Sequence, residues 1–440
     1  MDRLTLGIIA FPLLFFLLGL RFPIGLAMLI VGATGTAMIA GFLPVLSQMK
    51  TSAWHLFSSY SLTVIPLFLL MGNFAGRAGM SAALFRFAGS CLGHRRGGVA
   101  MAAVGACAGF GAICGSSLAT AATMGKVALP ELRKMGYSPA LSTGALAAGG
   151  TLGILIPPSV ILIIYSIMTE QNIAKMFLAA FIPGFLAAIG YMITIALYVR
   201  FYPEAGPKKP YVGMKERFFL FLGIWPIILI FSLVIGGIYI GWFTPTEGAA
   251  IGAAGTGFLA VIRSDFDRND LITVIEDTAV TSAMIFLVLL GAEFFNSFLA
   301  LTQITTVLSD TIGLLDYSPY LVIALILVIY LFLGCIMDSL AMILLTIPIF
   351  FPLVMALDLN LNPEEVAIWF GILTLIVVET GLITPPVGLN AFIINKIAGD
   401  IPLTETFSGV IPFLLSDIIR VIILFCFPSI TLFLVRWMYS

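Results

Sequence analysis

Two short stretches put oxygen-bearing side chains beside glycine inside otherwise apolar sequence: G-S-S-L-A-T-A-A at 115–122 and G-C-I-M-D-S-L-A at 334–341. Two more, T-L-G-I-L-I-P-P-S at 151–159 and E-T-G-L-I-T-P-P-V at 379–387, align without a gap as G-x-x-x-P-P. Gly153, Pro157 and Pro158 then stand against Gly381, Pro385 and Pro386. Consecutive prolines remove two backbone donors and clash with the preceding turn, so a helix comes apart there. Freed carbonyls suit a hard cation such as Na⁺, and freed amides suit a carboxylate. Candidate cation ligands in the first half are Ser116, Ser117, Gly153 and Ile156, the last two through backbone oxygen. In the second half they are Gly334, Asp338, Ser339, Gly381 and Thr384. Ser117, Thr120, Thr384 and Asn390 are the residues placed to orient an anionic substrate.

Each has a plainer reading. Runs of Gly, Ser, Ala and Thr often serve only close helix packing. Asp338 equally suits capping of the helix that follows it. Glu379, two residues before Gly381, is a second ionisable group able to hold a cation or a proton. Arg420 is a deep cation that needs a partner, Glu247 reads as a helix cap, and Lys126 as a residue snorkelling to the surface. Glu293 falls late in a span, within reach of the interface.

The elements that hold these residues must lie in lipid. Of 440 residues, 60% are hydrophobic and 10% charged, with a formal net charge of −1. A soluble globule carries roughly 25% charged residues. The near-zero charge leaves no basic footprint for nucleic acid. Five scattered cysteines and two histidines argue against a disulfide framework, a zinc site or a haem enzyme. Apolar windows predict spans near 4–20, 22–46, 61–77, 139–168, 175–201, 218–240, 246–263, 280–299, 364–395 and 407–435. The first is expected to be a retained span rather than a signal peptide. Segments 47–60 and 265–279 are mixed, and read either as surface-lying arms or as ordinary loop helices.

Positive charge orients the spans. Arg86, His94, Arg95, Arg96, Arg133, Lys134, the central loop at 202–217, Arg263, Arg268 and Lys396 fall on one side if the spans alternate, which makes that side the cytoplasm and puts both termini outside. Between the basic flanks, arms 98–113 and 118–129 are roughly 24 and 18 Å as helix, short of a hydrocarbon core about 30 Å thick. They predict a re-entrant hairpin at 97–131, dipping from the cytoplasm with its tip at 114–117. A second hairpin at 319–357 has acidic flanks, Asp310, Asp316, Asp358, Glu364 and Glu365, and so enters from outside. Ser117 to Pro130 repeats as Ser339 to Pro352, and Pro157 to Pro183 differs by one residue from Pro385 to Pro412. The expected fold is therefore an all-α polytopic membrane protein, an inverted-topology repeat with two hairpins and broken helices at 139–168 and 364–395. Its expected parts are 1–60 (scaffold helices and an arm), 61–201 (first repeat), 202–279 (central cytoplasmic loop, further scaffold helices and a second arm) and 280–440 (second repeat).

The four motifs at 115–122, 150–159, 334–341 and 379–390, in this order, resemble the large membrane subunit of tripartite ATP-independent periplasmic (TRAP) transporters. The resemblance covers nearly the whole chain. It implies an elevator-type secondary transporter of the bacterial inner membrane, with Na⁺ as coupling ion and a small carboxylate-bearing organic anion as substrate. It further implies two partners, a small four-helix membrane subunit and a periplasmic substrate-binding protein, with the tip serines and the P-P breaks as sodium positions. With no fusion before Met1, the small subunit is expected as a separate chain. Two other readings stand beside it: a stand-alone anion transporter of related fold, and a non-catalytic membrane subunit of an enzyme complex. The last would need buried Lys, Glu and His strung across the membrane, whereas polarity here gathers at two tips.

Overall fold

A computed structural model describes residues 2–262, 266–314 and 318–439. Arg263, Asp265 and Asp316 lie outside the described residues. All regular structure in the described residues is helical. The chain opens with α1 (Arg3–Gly19), α2 (Ile24–Ala40), α3 (Phe42–Ser58) and α4 (Val64–Arg77). Next come α5 (Met80–Leu92), a hairpin of α6 (Gly98–Cys114) and α7 (Ser117–Lys134), a broken helix of α8 (Pro139–Leu155) and α9 (Val160–Met168), and α10 (Ile173–Phe201). After a linker lie α11 (Met214–Leu222), α12 (Trp225–Ile240), α13 (Pro245–Ile262) and α14 (Arg268–Thr302). The second half then repeats the order: α15 (Ile304–Leu314), hairpin α16 (Pro319–Gly334) and α17 (Ser339–Met355), broken helix α18 (Pro363–Gly381) and α19 (Leu389–Ala398), and α20 (Leu403–Cys426), followed by α21 (Pro428–Tyr439).

Local sequence explains the boundaries. The Ser138 hydroxyl accepts from Leu141 N at 3.3 Å and Pro139 opens α8 without needing its missing donor. Asn172 starts α10 by accepting from Ala174 N and Lys175 N. Across the first break the axis turns by 43°. Both Pro157-Pro158 and Pro385-Pro386 are cis. The two helices that end at the breaks form the centre of the molecule: α8 is buried from Leu141 and α18 from Val366. The α6–α7 hairpin packs on α8, as α16 and α17 pack on α18, and α10 and α20 close around both. Beside this block, α14 runs along α2, and α13 packs on α4. Glycine allows that approach: a Cβ on Gly25 would stand 2.7 Å from Leu287 O.

Several expectations need correction. The window at 218–240 is two helices, α11 and α12, meeting at 52° where Gly223 ends one and Pro226 starts the other. The window at 407–435 likewise splits into α20 and α21, with Pro428 opening the second. Helices α5 and α15 fell below the 20-residue apolar window and went unpredicted. The second arm is not separate. A capping box between Asp267 and Asp270 starts α14 within the polar segment, and no proline interrupts its 35 residues. The first arm, α3, does bend, by 56°, into the helix at Tyr60–Arg77. The central loop is tied down by its backbone: Gly97 N to Gly206 O (2.9 Å), Ser138 N to Ala205 O (3.0 Å) and Lys209 N to Gly93 O (2.8 Å). It straps the base of the first hairpin.

Candidate functional site

At the first tip, Gly115 takes φ +65°, a conformation that favours glycine, and Ser116 caps α7 by accepting from Ala119 N at 3.4 Å. The tip lies on the first break. A Cβ built on Gly115 would stand 3.0 Å from Pro158 O, and one on Gly153 would stand 2.7 Å from Ser116 O. Only glycine at 153 lets that carbonyl lie so close to α8. Ile156 ends α8, and the Ser159 hydroxyl caps α9 by accepting from Leu162 N. The Ser117 and Thr120 hydroxyls are buried and, among the described residues, make no hydrogen bond.

The second tip repeats the contact with different residues. A Cβ on Gly381 would stand 2.6 Å from the Gly334 backbone, so the end of α16 and the end of α18 meet main chain to main chain. Gly388 N reaches Cys335 O at 3.4 Å, binding break to tip. Asp338 caps α17, its Oδ1 accepting from Ala341 N at 2.7 Å. The capping role foreseen for Asp338 is thus present.

Both tips open on one cavity of about 130 Å³. Ser116 and Ser117 line it from one hairpin and Asp338 and Ser339 from the other. The start of α9 (Val160, Ile161) closes a third side, and Leu69 of α4 with Thr281, Met284 and Ile285 of α14 form the wall opposite. The N-terminal ends of α7, α17 and α9 therefore point at a single space lined by no lysine or arginine. Helix N-termini carry partial positive charge and free amides, the usual cradle for an anion. Behind the tips, the C-terminal end of α6 packs main chain to main chain on that of α8, as that of α16 does on that of α18.

Glu379 joins the two halves. It is fully buried, its Oε1 accepts from Ser339 Oγ at 2.6 Å, and the Ser117 hydroxyl lies beside the same carboxylate. Its Oε2 has no partner among the described residues. Sequence reading singled Glu379 out as an intramembrane ionisable group without assigning it to the cluster. Thr384 and Asn390 sit apart from the cavity. The Thr384 hydroxyl, in the break, donates to Thr380 O of α18 at 2.7 Å, and Asn390 is buried against Gly150 with both amide atoms unpartnered.

Arg420 has the partner it required. It pairs with Asp417 at 2.9 Å on the same helix, both buried. Asp417 also accepts from Tyr191 OH at 2.8 Å, and Tyr191 OH lies 3.1 Å from Thr151 Oγ1. Thr380 flanks the same carboxylate. This network joins α8 two residues before Gly153 to α18 one residue before Gly381, through α10 and α20. No sequence spacing signalled it, because its members come from four separate helices. Glu247 caps α13 as expected, accepting from Thr244 N at 2.8 Å. Lys126 is exposed on α7, and Glu293 is half-buried on α14.

The family model described as "Tripartite ATP-independent periplasmic transporter, DctM component" matches residues 11–430. The "C4-dicarboxylate TRAP transporter large permease protein DctM" of Pseudomonas aeruginosa is 34% identical over 412 residues, covering 92% of this chain and 94% of its own. The "Sialic acid TRAP transporter large permease protein SiaM" of Vibrio cholerae is 31% identical over 383 residues, covering 86% of each. Among solved structures, the Alcanivorax borkumensis YdaH transporter superimposes with a TM-score of 0.65 over 92% of this chain and 96% of its own, at 14% identity. At that identity the likeness is one of fold.

Proposed function

The chain belongs to the DctM component family of tripartite ATP-independent periplasmic transporters, and from that premise we propose that it carries a small carboxylate-bearing organic anion inward across the bacterial inner membrane, coupled to Na⁺. It is a multi-pass integral membrane protein and a transporter subunit rather than an enzyme. The family implies a small membrane subunit and a periplasmic binding protein as partners, which deliver the substrate to this subunit.

The observation that carries the proposal is the convergence of three helix N-termini and both hairpin tips on one cavity without a basic side chain. In this reading the substrate carboxylate is held by main-chain amides and the Ser117 hydroxyl, with Thr120, Thr384 and Asn390 orienting the remainder from inside the block. Na⁺ occupies the paired helix ends: Ser116, Ser117, Gly153 and Ile156 in the first half; Gly334, Asp338, Ser339, Gly381 and Thr384 in the second. Asp338 and Glu379 bring carboxyl groups to a low-dielectric place, where negative charge, their own or the substrate's, is held readily only with compensating cations. Coupling follows from that electrostatic requirement. Relatives named for C4-dicarboxylates and sialic acid support the organic-anion reading.

Movement is proposed to be of the elevator type. Hairpins, broken helices, α10 and α20 form the moving block, and α1–α4 with α12–α14 form the static side. In this proposal α4 and α14, which pack on α13 and α2, are assigned to the static side.

The test is uptake of labelled C4-dicarboxylate and sialic acid into proteoliposomes holding this chain, the small subunit and the binding protein. Accumulation requires an inward sodium gradient, and equal uptake in sodium-free, potassium-balanced vesicles overturns the coupling.

A further inference from the structure

A groove of about 550 Å³ lies on the outer face of the moving block, between the base of the first hairpin and the C-terminal end of α10. Its rim carries Arg95, Arg96 and Arg200, all exposed, and its floor is apolar. Among the described residues none of the three guanidinium groups has an ion-pair or hydrogen-bond partner, and no carboxylate lines the groove. Three like charges gathered without a counter-anion repel one another, a cost that an occupant of opposite charge removes. Below Arg200, residues Ala196, Ile193 and Ile189 follow at helical spacing; Ile193 is 54% and Ile189 50% exposed. From Ile189 to Arg200 the helix rises about 16 Å, roughly half the hydrocarbon thickness. The groove therefore has the dimensions and polarity of one leaflet's lipid: cationic at the head, apolar for the length of an acyl chain.

We propose that this groove binds one anionic phospholipid of the cytoplasmic leaflet, its phosphate held by Arg95, Arg96 and Arg200 and its chains laid along α10. The leaflet follows from the basic residues that share this side of the molecule, since positive loops stay cytoplasmic. Because the arginines sit on the hairpin base and on α10, the lipid travels with the block that holds the cavity and ties that block to the inner surface. Guanidinium groups favour phosphate through paired N–H donors, and a zwitterionic headgroup brings its own cation into the arginine cluster.

Native mass spectrometry of the full chain, delipidated in detergent and titrated with phosphatidylglycerol, tests this. Wild-type protein retains one phosphatidylglycerol at least tenfold more tightly than phosphatidylcholine. The triple variant R95Q/R96Q/R200Q loses that preference, and Arg200→Gln alone, the milder change, weakens it several-fold. The control K208Q/K215Q/R268Q removes the same charge from exposed positions on the same side and keeps wild-type retention. Equal loss in the control, or equal retention of both lipids by wild type, overturns the proposal. So does displacement of the lipid by millimolar inorganic phosphate, which would make the site one for a soluble anion. Melting temperatures within a degree of wild type confirm that the variants are folded.

Discussion

At the first hairpin tip the polar groups are the neutral hydroxyls of Ser116, Ser117 and Thr120, lying over Gly153. At the second they are Asp338 and Ser339, with Glu379 beneath them. Backbone geometry is nearly duplicated: each tip meets a glycine of a broken helix, and each returning helix is capped by the residue before it. Charge is not duplicated. The difference teaches that the repeat preserves the main-chain dipoles, which any sequence able to adopt the fold supplies, while side-chain charge was free to diverge between halves. Glu379 spans the divergence by meeting a serine from each tip.

The largest expected effect comes from neutralising the charged half. Glu379→Gln keeps a hydrogen-bond acceptor for Ser339 and removes the charge, so uptake falls by roughly a hundredfold, the upper range for groups that orient cation ligands. Initial rates in proteoliposomes, with melting temperature as a folding control, decide it; a wild-type rate would mean the asymmetry is chemically idle. Next come the glycines. Gly381→Ala drives a methyl against Gly334 backbone, whereas Gly153→Ala meets the Thr120 side chain as well as Ser116 O. Overpacking costs about 1–3 kcal/mol. Thermal unfolding should show Gly381→Ala at the upper end, because its neighbours are backbone, and Gly153→Ala below it; the reverse order would show that the second contact yields more easily than the first.

A smaller loss is expected in the neutral half. Ser117→Ala removes a hydroxyl but no charge, so the sodium concentration for half-maximal uptake rises by roughly tenfold while the fold persists. If it matched Glu379→Gln, the two halves would be equivalent after all. The smallest effect lies at the rim of the second half. There Arg436 donates to Glu365 Oε1 at 2.7 Å and holds that carboxyl below its usual value. A depressed folded value gives stability that is present above the unfolded carboxylate range, about 4.3, and is lost as pH falls through the folded value. Arg436→Gln should therefore lower the melting temperature slightly at pH 7, leave it unchanged well below pH 4, and so flatten the acid limb between. An unaltered acid limb would show the pair to be inert.

Much of this was legible in one sequence because its causes are local. Hairpin arms, tips and breaks were found at nearly their observed residues, since glycine, paired proline and apolar length act within a few positions. Misreadings arose where local signals were mild: a Gly-Ile-Trp-Pro junction at 223–226 inside an apolar window, or an arm continuous with its span because a polar start is no barrier to a well-capped helix. The sequence by itself determined a lipid-embedded helical repeat with two dipping loops and two interrupted helices, because backbone groups in hydrocarbon must satisfy one another and each interruption announces itself. Only the tertiary structure decided that Glu379 lies between Ser117 and Ser339, that Asp417 ties Thr151 to Thr380 through Tyr191, and that both tips share one cavity. Those partners stand tens to hundreds of residues apart, and which faces of packed helices meet is settled by the shape of the whole assembly.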